Sequence, residues 1–156
     1  MKQQRRTLLK AGLAAGTMAV AAGAGLLSPR SVLAAWPEKA FKSRKYSSAL
    51  EALNGTQNMT DSSAITIKAP DIAENGAVVS VTVNTSLPKV ESISVFVPVN
   101  TFPLSSSYVL SQATDGMITG RIKMAKTGDV VAIVKSGGKL YTAKKPVKVT
   151  LGGCGG

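Results

Sequence analysis

The chain contains no histidine and only one cysteine among its 156 residues. Lack of imidazole removes the usual base for Cys-His and Ser-His-Asp nucleophiles. It also removes nearly every zinc or haem site, since one thiol and scattered carboxylates make a poor ligand set; we expect no metal and no cofactor. The carboxylates Asp61, Asp71, Glu74, Glu91, Asp115 and Asp129 fall mostly at turns, where a short acidic side chain stabilises the backbone locally. Aromatic residues make up only 4% and do not interleave with the basic ones, which argues against nucleic-acid recognition. No glycine-rich phosphate loop leads into a helix: Gly12, Gly16 and Gly23 lie in an N-terminal apolar segment, and the C-terminal glycines follow a strand pattern. Internal repeats are missing too. Together these absences speak against an enzyme that works alone.

What is there begins with a leader. Gln4-Arg5-Arg6-Thr7-Leu8-Leu9-Lys10 sets the twin arginines Arg5 and Arg6 ahead of an apolar run from Ala11 to Leu27. That run is rich in Ala and Gly and only mildly hydrophobic, as in twin-arginine signals. Val32-Leu33-Ala34 offers small residues to a signal peptidase, so cleavage is expected after Ala34, with Ala35 as second choice. Residues 1–34 are therefore read as a twin-arginine signal peptide. The short, glycine-interrupted run and the following Ser28-Pro29-Arg30 argue against stable membrane insertion. Twin-arginine export carries folded protein, and the expected destination is the periplasm, an oxidising compartment. Five of the 19 basic residues (Lys2, Arg5, Arg6, Lys10 and Arg30) fall in the leader, leaving 14 against 8 acidic ones, a net of +6 rather than +11. About 122 residues remain, enough for one domain with a modest core. The remaining charge suits a solvated surface, and it also attracts anionic substrates or acidic protein surfaces.

Residues 35–60 read as a helical segment. Pro37 to Leu53 is expected to be one short helix, with Pro37 in its first turn, Tyr46, Ala49, Leu50 and Leu53 along one face, and Asn54-Gly55 as its stop. From Ala64 the period changes to two. Ile65 and Ile67, then Val79, Val81 and Val83, then Ile93, Val95 and Val97 alternate with mostly polar residues. Met117 to Met124, the near-continuous apolar run Val130 to Lys135, Lys139 to Ala143 and Pro146 to Leu151 complete the set. Turn residues bound each run, and Ser136-Gly137-Gly138-Lys139 is a hairpin signal. Pro98 marks an edge or an end of its strand. About seven strands in this pattern predict an all-β, immunoglobulin-like antiparallel β-sandwich over residues 61–151. In the last strand Val147, Val149 and Leu151 point one way, giving the chain a firmly held end.

Beyond that strand, residues 152–156 read Gly152-Gly153-Cys154-Gly155-Gly156. Glycine has no Cβ and roams φ/ψ space, so the segment is expected to form a flexible arm that gives Cys154 little shielding. A reach of roughly 10 Å from Leu151 would let the thiol enter another protein's pocket. Burial as a small hydrophobe needs neighbours that four glycines do not supply. Other readings remain: an odd cysteine in an exported chain can form an intermolecular disulfide, and a glycine tail can carry a cysteine by accident. Prenylation is excluded because Cys154 is third rather than fourth from the end.

The terminal Gly-Gly-Cys-Gly-Gly behind a twin-arginine leader resembles the SoxY family, sulfur-carrier subunits of periplasmic thiosulfate oxidation. The stretches Ala69–Val79, Arg121–Ala125 and Lys139–Ala143 also look like that family's domain. The resemblance implies a covalent carrier rather than an enzyme, with Cys154 as attachment site and Gly152, Gly153, Gly155 and Gly156 letting the adduct thread into successive active sites. It implies a heterodimer with a SoxZ-like subunit and transient contacts with three enzymes. A SoxAX-like cytochrome joins thiosulfate to the cysteine, a SoxB-like hydrolase releases sulfate and leaves a persulfide, and a SoxCD-like dehydrogenase oxidises the outer sulfur. The competing class is a periplasmic β-sandwich binding module whose Cys154 links two copies by a disulfide. A redox sensor or thiol enzyme ranks behind both, since no second cysteine is present to resolve a sulfenic acid.

Overall fold

A computed structural model of the chain describes residues 36–111 and 113–150. The chain divides into two units, Met1–Ala35 and Trp36–Gly156, and all described residues lie in the second. Among them no helix is long and apolar enough to cross a membrane.

Two helices stand where one was expected, α1 at Glu38–Lys42 and α2 at Tyr46–Asn54. The backbone is extended at Ser43 (ψ 132°) and again at Lys45 (ψ 135°). Ser43 explains the break locally, because its hydroxyl turns back to donate to the Lys39 carbonyl at 2.6 Å. Packing favours it too: the interruption lets Ala40 of α1 and Ala49 and Leu50 of α2 bury against one sheet face. Tyr46 meets Phe96 edge-on, with ring centroids 5.4 Å apart, and Trp36 stacks on Phe41 at 4.2 Å. The helix stops at Gly55 as read, with φ 73° and its N–H on the Glu51 carbonyl.

Among the described residues nine strands follow: β1 Thr60–Asp61, β2 Ile65–Lys68, β3 Ile72–Ala73, β4 Val79–Thr85, β5 Val90–Phe96, β6 Leu104–Val109, β7 Met117–Ile122, β8 Gly128–Ser136 and β9 Lys139–Val149. One sheet runs β1-β9-β8-β5-β6, with β3 also on β9; the other runs β2-β4-β7. Neighbours are antiparallel except β1 and β3, which pair with β9 in parallel over two residues each. Ile65, Ile67, Val81, Val83, Ile118 and Ile122 of the small sheet bury against Ile93, Val95, Val130, Ala132, Val134 and Val147 of the large one. That is the expected all-β sandwich.

The helices add a third layer. Phe96, Leu104, Val131, Ile133 and Leu140 face away from the sandwich core and pack under Ala40, Ala49 and Leu50. A strand covered on both faces needs apolar residues at every position, which is why β8 reads Val130-Val131-Ala132-Ile133-Val134 without alternation. The few polar groups drawn inside are paired: Ser94 with Ser107 at 2.9 Å, and the Thr142 hydroxyl with the Ala132 carbonyl at 3.2 Å.

Two sequence runs, Lys139–Ala143 and Pro146–Leu151, prove to be one strand of 11 residues, β9. Pro146 does not break it. The Thr142 carbonyl accepts from Ser62 and the Lys148 N–H donates to Asp71, so even-numbered residues here turn their backbone groups away from β8. Pro146 shares that direction, and its missing N–H falls on a stretch of edge between β1 and β3 that needs no donor. Pro98 follows the end of β5, as one of its two readings had it.

Candidate functional site

Cys154, the arm residues Gly152, Gly153, Gly155 and Gly156, and the leader arginines Arg5 and Arg6 all lie outside the described residues. The structure places the platform that leads to the cysteine. Thr150 is the last described residue before it, four residue steps from Cys154, or roughly 14 Å when extended.

That platform is held from both sides. On one side β3 runs parallel to the strand end, pairing Ile72 with Lys148 and Ala73 with Val149. The Lys148 N–H donates to the Asp71 carbonyl at 2.9 Å, and the Thr150 N–H donates to the Ala73 carbonyl at 3.1 Å. On the other side the Thr127 hydroxyl accepts from the Val149 N–H at 2.9 Å and donates to the Val149 carbonyl at 3.3 Å. One hydroxyl thereby satisfies both backbone groups of a residue that has run past its partner strand. Beneath, Val147 is buried and Val149 packs on the same core. Gly76 closes the platform from behind: a Cβ there would lie 2.4 Å from the Met124 carbonyl oxygen and 2.8 Å from Val149 Cγ1. Only glycine fits so close an approach.

Charge adds a clasp at the surface. Lys145 of β9 pairs with Asp71 just ahead of β3. The hydrogen bond from Lys145, together with its positive charge, holds the Asp71 carboxyl below its usual range. Asp71, expected from sequence at a turn, lies at a bend, and its partner is a lysine 74 positions away. Lys144 and Lys148 are exposed nearby.

Around this end the surface is apolar in places. Ile72 and Val78 are 56% and 51% exposed, and with Pro70, Ala73, Glu74 and Asn75 they help line a shallow concavity of about 410 Å³. Among the described residues no group of three or more Cys, Asp or Glu side chains could hold a metal ion. No described side chain beside the platform is an evident base. The arrangement can position a tether and can offer a surface to a visiting protein.

Sequence reasoning singled out the strand end but missed what holds it. Thr127 stands alone between Lys126 and Gly128 with no pattern around it, and Gly76 was legible only as half of an Asn-Gly turn. The pairing partner β3, two residues long, leaves no periodicity to find.

Comparison with known proteins bears on this platform directly. The family model described as sulfur oxidation protein SoxY matches residues 50–154. Among solved structures, the chain is similar to the sulfur carrier protein SoxY from Chlorobium limicola f thiosulfatophilum, at 46% identity over 66% of this chain and 94% of that one, with TM-score 0.61. It is also similar to a superoxide reductase (neelaredoxin) from Ignicoccus hospitalis, at 20% identity over 56% of this chain and 80% of that one, with TM-score 0.50; this likeness is one of fold alone. No curated protein matches the chain. Since the family match runs from Leu50 in α2 through both sheets and the platform to Cys154 itself, the chain belongs to the SoxY family of sulfur oxidation proteins.

Proposed function

We propose that the protein is a sulfur carrier of the periplasm, holding thiosulfate-derived intermediates on Cys154 and presenting them to the enzymes of thiosulfate oxidation. The observation that carries this reading is the platform: Lys148, Val149 and Thr150 are hydrogen-bonded on both sides immediately ahead of Gly152-Gly153-Cys154-Gly155-Gly156. A tether with a fixed root and a thin, side-chain-free shaft delivers its tip to a predictable volume, and the body of the carrier never has to enter the enzyme. Glycine at positions 152, 153, 155 and 156 keeps the shaft narrow enough for a tunnel.

The chemistry balances as follows. The Cys154 thiolate and thiosulfate together lose two electrons to a SoxAX-like cytochrome, forming an S–S bond and a cysteine S-thiosulfonate. Water then attacks the sulfonate sulfur under a SoxB-like hydrolase; the S–S bond to that sulfur breaks, sulfate and two protons leave, and the persulfide stays on Cys154. A SoxCD-like dehydrogenase takes six electrons from the outer sulfur while three waters supply its oxygens and six protons leave, giving a cysteine S-sulfonate. A second hydrolysis then breaks the S–S bond, releases sulfate and two protons, and frees the thiolate. An unperturbed thiol is largely protonated at neutral pH, so the enzymes supply the activation. A SoxZ-like subunit completes the carrier as a heterodimer, and export through Arg5-Arg6 delivers the folded protein, cut after Ala34 or Ala35.

Intact mass of the protein from cells grown on thiosulfate, with and without reductant, tests the reading. The expected species carry thiosulfuric acid less two hydrogens, or one extra sulfur; both vanish on reduction and in Cys154→Ser. A population made only of free thiol and disulfide-linked dimer would instead support the crosslinked binding module.

A further inference from the structure

The chain contains two Asn-Gly steps, Asn54-Gly55 and Asn75-Gly76, and the fold treats them in opposite ways. An asparagine ahead of glycine is prone to lose its side-chain amide, because glycine, with no Cβ, leaves its own backbone nitrogen unshielded. The reaction is a ring closure within the chain. The glycine nitrogen bonds to the asparagine Cγ and gives up its proton, the Cγ–Nδ2 bond breaks, and ammonia leaves a succinimide behind. Water then opens either carbonyl of the ring. One opening gives aspartate. The other gives isoaspartate, in which the main chain runs through the side chain and is longer by an extra carbon. Nothing is oxidised or reduced.

At Asn54 both participants are engaged. The Gly55 N–H donates to the Glu51 carbonyl at 2.7 Å, and the Asn54 Nδ2 donates to the Leu50 carbonyl at 3.3 Å. Asn54 also ends α2, and a helical side chain leans toward the N-terminus, away from the nitrogen that follows it. At Asn75 the groups are free. Neither the Gly76 N–H nor the Asn75 Nδ2 makes a hydrogen bond among the described residues. The Asn75 Oδ1 instead accepts from the Ala77 N–H at 2.9 Å. That donor draws electrons from Cγ and steadies the oxyanion formed as the nitrogen adds. Asn75 is exposed and helps line the shallow concavity beside β3, so water reaches the ring.

The position matters because of what Gly76 touches. Its carbonyl accepts from the Met124 N–H at 2.7 Å, and it lies too close to Met124 and Val149 for any Cβ to fit. Two residues before Asn75, Ala73 pairs with Val149 and accepts from the Thr150 N–H. An extra main-chain carbon between these two anchors cannot be absorbed without releasing one of them.

We propose that Asn75 is a site of spontaneous deamidation, and that isoaspartate there unfastens the end of β9, loosening the strand that leads toward Cys154. Each molecule thus carries a clock whose rate is set by a single turn. The inference stands on that turn and not on the carrier reading.

Purified protein incubated in mildly alkaline buffer tests it. Peptides that have reacted are heavier by the difference between water and ammonia, and mass spectrometry locates them. Conversion at position 75 should outrun that at position 54 by about tenfold, the protection that one backbone hydrogen bond and a helix end supply. In denaturant the two rates should become comparable. Native conversion at position 75 no faster than at position 54 would overturn the site. The isoaspartate fraction, separated by ion exchange, should then exchange its Met124, Val149 and Thr150 amides about tenfold faster, while the β8–β9 hairpin keeps its protection. Unchanged exchange at those three amides would refute the unfastening. Asn75→Asp adds the charge of the products without lengthening the chain, and should exchange as the unmodified protein does. Exchange as fast as in the isoaspartate fraction would show that charge, not chain length, is the cause, against the proposal. Asn75→Ser cannot close the ring, and its hydroxyl can hold the turn. It should stay homogeneous and protected throughout the incubation; loss of protection there would mean that the clock lies elsewhere.

Discussion

At its first residue β9 leaves a turn of two glycines, Gly137 with φ 55° and Gly138 with φ 75°, and runs back along β8 in unbroken register from Lys139 to Val147. At its other end it outruns β8 and is caught by β3 and by the hydroxyl of Thr127. Each end also carries a carboxylate clasp. Glu91 accepts from the Gly138 N–H at 2.7 Å and pairs with Lys135 at 3.2 Å, while Asp71 pairs with Lys145. The hairpin end is closed by local backbone geometry, which needs only the right two residues in a row. The platform end is closed by groups brought from two distant parts of the chain, residues 71–76 and 124–127, so it exists only when both sheets do. A carrier arm of the kind proposed would therefore be presented by folded protein and by nothing less.

The contrast can be broken from either side. Gly76→Val should be the most damaging change, costing about 3 kcal/mol or more, because the new side chain meets a backbone carbonyl and Val149 with nowhere to go. Thermal unfolding would report the loss; a near-unchanged Tm would mean that the platform is looser than described. At the hairpin end Gly137→Ala should cost about 1–2 kcal/mol, entirely from its left-handed backbone, since nothing lies within 4 Å of the added methyl. Thr127→Val keeps the shape but deletes the two-way hydrogen bond, and should cost about 1 kcal/mol. Its signature is local: hydrogen exchange at Val149 and Thr150 should quicken while the amides of the hairpin stay protected. Equal acceleration at both ends would show that they open as one unit.

The gentlest probe is acid. The Gly138 N–H, followed by Lys135, lowers the pKa of Glu91, and Lys145 lowers that of Asp71. Folded-state values below the unfolded ones mean that both clasps stabilise the fold fully above the ordinary carboxylate range. They are lost as the pH falls through the depressed values. Side-chain carboxyl titration by NMR should therefore give midpoints below the ordinary values for both residues, with amides near Gly138 following Glu91 and amides near Lys148 following Asp71. Solvent-exposed clasps of this kind contribute little to global stability, so the melting temperature should hardly respond.

The same division governs what the sequence made legible. Strands with one face in the core, such as β4 with Val79, Val81 and Val83, announce themselves by alternation. The hairpin does so by its glycines. β6 did not, because Leu104-Ser105-Ser106-Ser107-Tyr108-Val109 has no apolar stripe; its place is set by pairing with β5 and by the Ser94–Ser107 bond under the helices. The single helix expected over Pro37–Leu53 had its apolar face right and its continuity wrong, because the Ser43 back-bond leaves no periodic trace. Splitting β9 at Pro146 was an error of the same sort: whether a proline is tolerated depends on which edge its missing donor faces. At the candidate site, residues 152–156 were conspicuous in sequence and lie outside the described structure. Thr127 carries no sequence signal, and Ala73 and Gly76 show none for this role; that they hold the strand end is what the structure supplies.

The divided outer edge of β9 has one more consequence. A long strand at the border of a sheet is a template for other chains, and proteins that live crowded together must blunt it. Here two-residue strands occupy both ends of that border and Pro146 stands in the interval between them, so no continuous row of free donors and acceptors is left there. The strand that leads toward Cys154 is thereby sealed against recruiting its own kind, and copies can accumulate without knitting into fibres along this border.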